Sequence, residues 1–138
     1  FLAQKLANKP FTIVGDGKQT RDFTFVSDVV DAIYKAWKSN AKDQIFNVGS
    51  GKTVSVNQIV QILGGTKTYV PKRPGEPDCT FADMKKIKKI LKWTPKVNIN
   101  DGIKKILKEI DYWKDAPIWT PKKINFETKD WFKYIKNK

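Results

Sequence analysis

The order of apolar residues predicts an α/β domain with a small mixed sheet and several helices, and three observations carry that expectation. Short β-rich runs alternate with segments whose apolar residues recur at helical spacing. Glycine, proline and small polar residues punctuate the junctions between them. With 138 residues, 40% hydrophobic and 12% aromatic, the chain is long enough to bury a core and too apolar to stay disordered.

Phe1, Leu2 and Leu6 read as the middle of an amphipathic helix that Asn8 and Pro10 stop. A chain that opens there without methionine is expected to be a fragment. Phe11 to Val14 follows as a strand ended by Gly15-Asp16-Gly17, and Asp22 to Val26 alternates into a second. The next helix starts where Ser27 or Asp28 can cap it, with Val29, Val30, Ile33, Ala36 and Trp37 on one face. Gln44 to Val48 reads as another strand, closed by Gly49-Ser50-Gly51. Ser55 and Gln58 have capping-box spacing at the head of a helix whose Ile59, Ile62 and Leu63 face inward until Gly64-Gly65. A strand from Thr68 to Val70 runs into the loop that holds Arg73. Beyond it come a basic helix over 83–92, a Trp93-Thr94-Pro95 break and a helix from about Asn100 to Trp113.

Residues 1–114 are therefore expected to form one domain, and 115–138 an aromatic, lysine-rich appendage. In the appendage Pro117 and Pro121 flank Trp119, and Phe126, Trp131, Phe132, Tyr134 and Ile135 form a final amphipathic run. Such aromatic density suits packing on the body or on a partner, and the sequence does not choose.

Composition closes several chemistries. One cysteine, Cys79, leaves no internal disulfide, and the lack of histidine removes zinc sites and Ser/His or Cys/His dyads. No apolar run approaches the roughly 20 residues of a membrane span, and no leader is visible, so a cytoplasmic protein is expected. The formal charge of +13 raises nucleic acid or another polyanion as a partner. Within 83–92, however, Met84, Ile87, Ile90 and Leu91 take one helical face and leave the lysines on the solvated one, which makes nucleic acid an unlikely partner.

Two motifs fail on spacing. Gly49-Ser50-Gly51-Lys52-Thr53 ends like a P-loop but has Phe46 where the first glycine belongs. Neither Gly49-x-Gly51 nor Gly15-x-Gly17 continues to a third glycine, since Val54 and Thr20 stand there. Tyr34 and Lys38 have Tyr-x-x-x-Lys spacing but no dinucleotide fold before them, and are read as coincidence. No catalytic, cofactor or metal site is expected within the chain.

The arginines are more informative. Of 27 basic residues only Arg21 and Arg73 are arginine, and each lies in a Gly- or Pro-rich loop. A chain that otherwise uses lysine for positive charge places the planar, bidentate fork where geometry matters, and phosphate is the ligand that fits. The plainer alternative pairs Arg21 with Asp22 or Asp28, and Arg73 with Glu76 or Asp78.

The stretch Gly15-Asp16-Gly17-Lys18-Gln19-Thr20-Arg21-Asp22-Phe23-Thr24-Phe25-Val26-Ser27-Asp28-Val29-Val30, then Phe46-Asn47-Val48-Gly49-Ser50-Gly51, then Arg73-Pro74-Gly75-Glu76 with Ala82-Asp83, resembles the C-terminal half of an extended short-chain dehydrogenase/reductase. The nearest type is the nucleotide-sugar 4-epimerase resembling UDP-glucose 4-epimerase. Leu91-Lys92-Trp93-Thr94-Pro95 is similar to the family's Leu-Gly-Trp-x-Pro break, with Lys92 in place of glycine. The resemblance covers about residues 1–113.

It implies that Arg21 and Arg73 hold the diphosphate of a nucleotide-sugar, and that Glu76 accepts hydrogen bonds from ribose hydroxyls. Thr12 and Val14 would line the base pocket, largely through backbone, and Thr80 would border the sugar. Asp22, Asp28 and Asn47 are assigned to turns, caps and loop geometry. It also implies NAD in an N-terminal Rossmann domain absent from this chain, hydride removal and return at the sugar's C4 in a homodimeric parent, and an inactive fragment. A dehydratase or decarboxylase on dTDP-, GDP- or CDP-sugars is the alternative within the family. A stand-alone polyanion-binding module is the alternative outside it.

Overall fold

A computed structural model describes residues 1–135, so residues 136–138 of the predicted appendage lie outside the described residues. Helix α1 (Leu2–Leu6) leads into strand β1 (Phe11–Val14), and β2 (Thr20–Arg21) precedes helix α2 (Val26–Lys38). Strand β3 (Val54–Ser55) passes directly into α3 (Val56–Leu63), followed by β4 (Lys67–Val70), β5 (Cys79–Thr80) and α4 (Lys85–Leu91). Helix α5 (Ile99–Lys108) and a 3-10 turn (Ile110–Trp113) precede α6 (Pro121–Glu127) and α7 (Lys129–Tyr134).

Two small sheets organise these elements. β1 and β4 pair in parallel, Phe11 opposite Lys67 through Val14 opposite Val70. β2 lies between β3, to which it is antiparallel, and β5, to which it is parallel. Phe11 and Ile13 alternate inward from β1 and meet Ile59, Val60 and Leu63 of α3 and Ile103 of α5. A second cluster joins Ala32 of α2 to Met84, Ile87, Leu91 and Trp93. The basic helix, expected over 83–92, spans Lys85–Leu91 and buries Met84, Ile87 and Leu91 of the stripe its spacing predicts, while Ile90 stays 44% exposed with the lysines.

Several local expectations hold atom for atom. Ser55 Oγ accepts from the Gln58 amide at 3.2 Å while Gln58 Oε1 accepts from the Ser55 amide at 2.8 Å, a complete capping box. Gly64 follows as the C-cap.

Others are corrected. The strand expected over Asp22–Val26 is Thr20–Arg21 instead, because its ladder partners β3 and β5 stand opposite those two residues. Helix α2 starts at Val26 with Phe25 in the N-cap position and no side-chain cap. Asp28 turns inward, 3% exposed, and its two carboxylate oxygens accept from the Lys96 amide at 3.1 Å and the Val97 amide at 2.9 Å. That rotation buries Asp28 and Ala32 and leaves Val30, Ile33 and Trp37 58%, 63% and 75% exposed. The apolar face exists, and among the described residues it is left largely open. Gln44–Val48 likewise lies in no sheet, since a strand sequence needs a neighbouring strand to form a ladder. Finally, the helix expected to reach Trp113 gives way after Lys108 to the 3-10 turn.

The described part of the segment after residue 114 packs against α1, β1 and the loop after β4. Gln4 of α1, 3% exposed, donates from Nε2 to Thr12 Oγ1 at 2.9 Å and to the Trp119 carbonyl at 2.8 Å. Trp131 Nε1 donates to the Pro74 carbonyl at 2.8 Å, and Ile124 of α6 is buried.

Candidate functional site

The site is built at the ends of β1 and β2, where the loops after β1 and β4 meet. Gly15 leaves β1 by donating its amide to the Val70 carbonyl at 2.9 Å. Gly17, at φ +73°, closes the turn so tightly that a Cβ there would lie 2.5 Å from Asn57 Oδ1. Asn57 Nδ2 donates to the Asp16 carbonyl and Gln19 Nε2 to the Val14 carbonyl, both at 2.8 Å, so the turn is clamped from both sides. The Asp16 carboxylate accepts the Lys18 amide and pairs with its ammonium, which holds the carboxyl below its ordinary range.

This turn delivers Arg21 on β2. Its Nη1 donates to the Thr20 carbonyl at 2.8 Å, and its Nη2 lies 3.4 Å from Glu76 Oε1. Arg73 approaches from the loop after β4, with Nη1 3.8 Å from Glu76 Oε2. One carboxylate therefore stands between two guanidiniums, their side chains 24%, 28% and 25% exposed for Arg21, Arg73 and Glu76. The triad keeps one net positive charge, and each fork has more N–H donors than the contacts just named engage. Beside it, hydrogen bonding to Asp78 raises the pKa of Lys72, and the Thr20 amide donates to the Asp78 carbonyl at 2.8 Å.

The plainer pairing is thus realised in altered form. Arg73 meets Glu76, one of its expected acids, but Arg21 crosses to Glu76 rather than reaching Asp22 or Asp28. Asp22 serves loop geometry. Its carboxylate accepts the Ser50 hydroxyl at 2.6 Å and the Ser50 amide at 2.5 Å, and a Cβ on Gly49 would collide with it. Asn47 Nδ2 donates to the Asp83 carbonyl at 3.4 Å.

The remaining sequence-selected residues fall around this triad. Val14 borders a cavity of about 440 Å³ with Gln19, Lys72 and Glu76. Thr12 and Val14 also line a second cavity of about 490 Å³, which Arg73 shares with Trp119 and Trp131. Thr80 pairs with Arg21 across the β2–β5 ladder but is exposed and lines neither cavity. Sequence reasoning missed Gln4, Trp119 and Trp131 as cavity residues. The signal was the aromatic density of residues 115–135, which carries no address.

Chemically, two arginine forks around a carboxylate can bind a dianion, and two cavities adjoin them, one lined largely by charged side chains and the other by aromatic and apolar ones. Among the described residues no cluster of His, Cys, Asp and Glu could hold a metal, and no helix is long and apolar enough to cross a membrane.

Comparison with known proteins places the chain in a family. A family model described as GDP-mannose 4,6 dehydratase matches residues 1–106. A putative UDP-glucose 4-epimerase of Methanocaldococcus jannaschii is 37% identical over 113 residues, covering 78% of this chain and 36% of the relative. UDP-glucuronic acid decarboxylase 2 of Arabidopsis thaliana is 30% identical over 115 residues, 79% of this chain and 26% of the relative. The crystal structure of a UDP-glucuronic acid 4-epimerase from Bacillus cereus, in complex with UDP-glucuronic acid and NAD, superposes with a TM-score of 0.75 at 32% identity. It covers 80% of this chain and 38% of its own. The chain spans about a third of the length of such relatives and matches their C-terminal part.

Proposed function

The chain belongs to the GDP-mannose 4,6 dehydratase family, that of the extended short-chain epimerases and dehydratases, and from that membership we propose that it is the nucleotide-sugar-binding part of an NAD-dependent 4-epimerase acting on a UDP-sugar. The observation that carries the reading is the meeting of Arg21 and Arg73, the chain's two arginines, at Glu76.

A diphosphate entering between the guanidiniums replaces Glu76 as their acceptor and brings two negative charges to a triad that holds one positive. The freed carboxylate can then accept from ribose hydroxyls, with Thr12 and Val14 at the base and Thr80 toward the sugar. The residues of this chain do not fit NAD, because neither Gly-x-Gly turn continues into a dinucleotide fingerprint. Its part in the reaction is affinity and orientation, and binding energy spent at the diphosphate holds the sugar while chemistry happens elsewhere. The exposed face of α2 and the unpaired run Gln44–Val48 suit a cover supplied by the rest of a longer protein, the domain that would hold NAD.

Each charge-assisted arginine contact is worth about 1.5 to 3 kcal/mol, so Arg73→Ala should weaken UDP-sugar binding by about tenfold or more. The test is calorimetry with a UDP-sugar and with uridine on the protein expressed from its complete reading frame. The unsubstituted protein should bind the UDP-sugar more tightly, and Arg73→Ala should erase most of the difference. Equal affinity of the unsubstituted protein for both ligands refutes the assignment.

A further inference from the structure

We infer that the segment after residue 114 is part of the ligand site, with the indoles of Trp119 and Trp131 forming an aromatic wall against which the nucleobase stacks. The family match ends at residue 106, so these side chains lie outside the part of the chain that carries the family's pattern. They nevertheless line the same cavity as Thr12, Val14 and Arg73. This inference rests on the nucleotide-sugar reading above and adds to it the residues that grip the base.

The geometry is specific about what each indole has left to offer. Trp131 has committed its polar edge, since Nε1 donates to the Pro74 carbonyl at 2.8 Å within the loop that holds Arg73. That bond fixes the ring, and the Arg73 guanidinium carbon lies 5.8 Å from the ring centroid. Trp119 is held through its backbone, whose carbonyl accepts from the buried Gln4 amide that also grips Thr12 on β1. Both positions are tied to the site's own strand and loop, yet Trp119 and Trp131 remain 47% and 41% exposed as residues. Large apolar surfaces left open at the wall of a cavity of about 490 Å³ suit a planar, largely uncharged group. The arginine on the same wall leads to the guanidinium pair at Glu76. A ligand with an aromatic ring at one end and phosphates next to it matches that order, and a bare polyanion does not.

The test compares uridine diphosphate with inorganic pyrophosphate, which has the phosphates without the base, on the protein expressed from its complete reading frame. Trp131→Leu and Trp119→Leu should each weaken uridine diphosphate by about fivefold or more, the scale of one stacked base, and leave pyrophosphate within about twofold. Trp131→Phe keeps a stacking face but loses the indole N–H, and should retain most of the affinity. Indole fluorescence should be quenched by uridine diphosphate and not by pyrophosphate.

If Trp131→Leu weakens both ligands equally, the residue acts by placing Arg73 and the stacking role is overturned. Equal losses in Trp131→Phe and Trp131→Leu overturn it as well, because the anchor to Pro74 then accounts for the effect. Unchanged or tighter binding of uridine diphosphate in both leucine variants overturns the inference and leaves the diphosphate assignment standing. A protein that binds pyrophosphate but gains nothing from the uridine overturns the stacking inference and the nucleotide-sugar reading together, and leaves a phosphate site alone.

Discussion

Asp28 offers the sharpest test of how α2 is fastened to the segment before α5. It is 3% exposed, and its two oxygens accept from the consecutive amides of Lys96 and Val97 at 3.1 and 2.9 Å. Those bonds join α2 to the segment that leads into α5 across almost seventy residues of sequence. A hydrogen bond to a charged acceptor nets about 1.5 to 3 kcal/mol, and a buried donor left orphaned costs about 1 to 3. Lys96 is exposed and Val97 half-buried, so water can reach part of the vacated space and the lower halves of those ranges apply. Asp28→Ala should therefore lower unfolding stability by about 2 to 4 kcal/mol, which in a domain of this size is roughly 8 to 15 °C of melting temperature. Asp28→Asn keeps one acceptor and turns an amide toward the second donor, so about half the loss should remain. Urea denaturation followed by tryptophan fluorescence reads both values, provided the slope with denaturant is unchanged. A loss below about 0.5 kcal/mol in Asp28→Ala would refute the view that these two bonds fasten α2.

Other positions give distinct expectations. Trp93 is fully buried, with no partner for its indole N–H among the described residues, so Trp93→Phe should stay within about 1 kcal/mol by removing an unsatisfied donor as it loses volume, whereas Trp93→Ala should lose about 3 to 5 kcal/mol by the same denaturation assay. Gly17→Ala should destabilise by about 1 to 3 kcal/mol, since it combines a positive φ with a Cβ placed against Asn57, and a neutral result would mean that the turn relaxes. Ile33→Glu should change the stability of this chain by less than about 0.5 kcal/mol because the side chain is 63% exposed, and a large loss would show that the α2 face is covered within the chain. Asp16 is held below its ordinary value of 3.8, so its contribution is present above that pH and lost as pH falls through the depressed value; the difference between wild type and Asp16→Asn in urea should close in acid, and one that persists there contradicts the assignment. Lys72 has the opposite sign. Its raised pKa makes the Asp78 pairing fully present below 10.5 and lost as pH rises through the folded value, so Asp78→Asn should matter least in strong base.

Much of this protein was written in local patterns that need no tertiary information. The Ser55/Gln58 capping box, the inward Ile59 and Leu63, the Gly15-Asp16-Gly17 turn after β1 and the amphipathic helix around Ile87 each follow from residues within a turn or two of one another. The scarcity of arginine singled out Arg21 and Arg73 for the same reason: the choice of guanidinium over ammonium is made one residue at a time. What the sequence alone could not decide were facts about partners. Which acid Arg21 meets depends on the loop after β4 folding back across β2, some fifty-five residues away. Which face of α2 is inside depends on the Lys96 and Val97 amides that claim Asp28, and hydrophobic periodicity marks a stripe without saying what covers it. Gln44–Val48 has a strand's residues but only another strand can make it one. The aromatic residues after 114 announced that they would pack somewhere, and only the chain's return to β1 and Arg73 supplied the place, because contact between distant residues is fixed by the whole fold and not by any window of it.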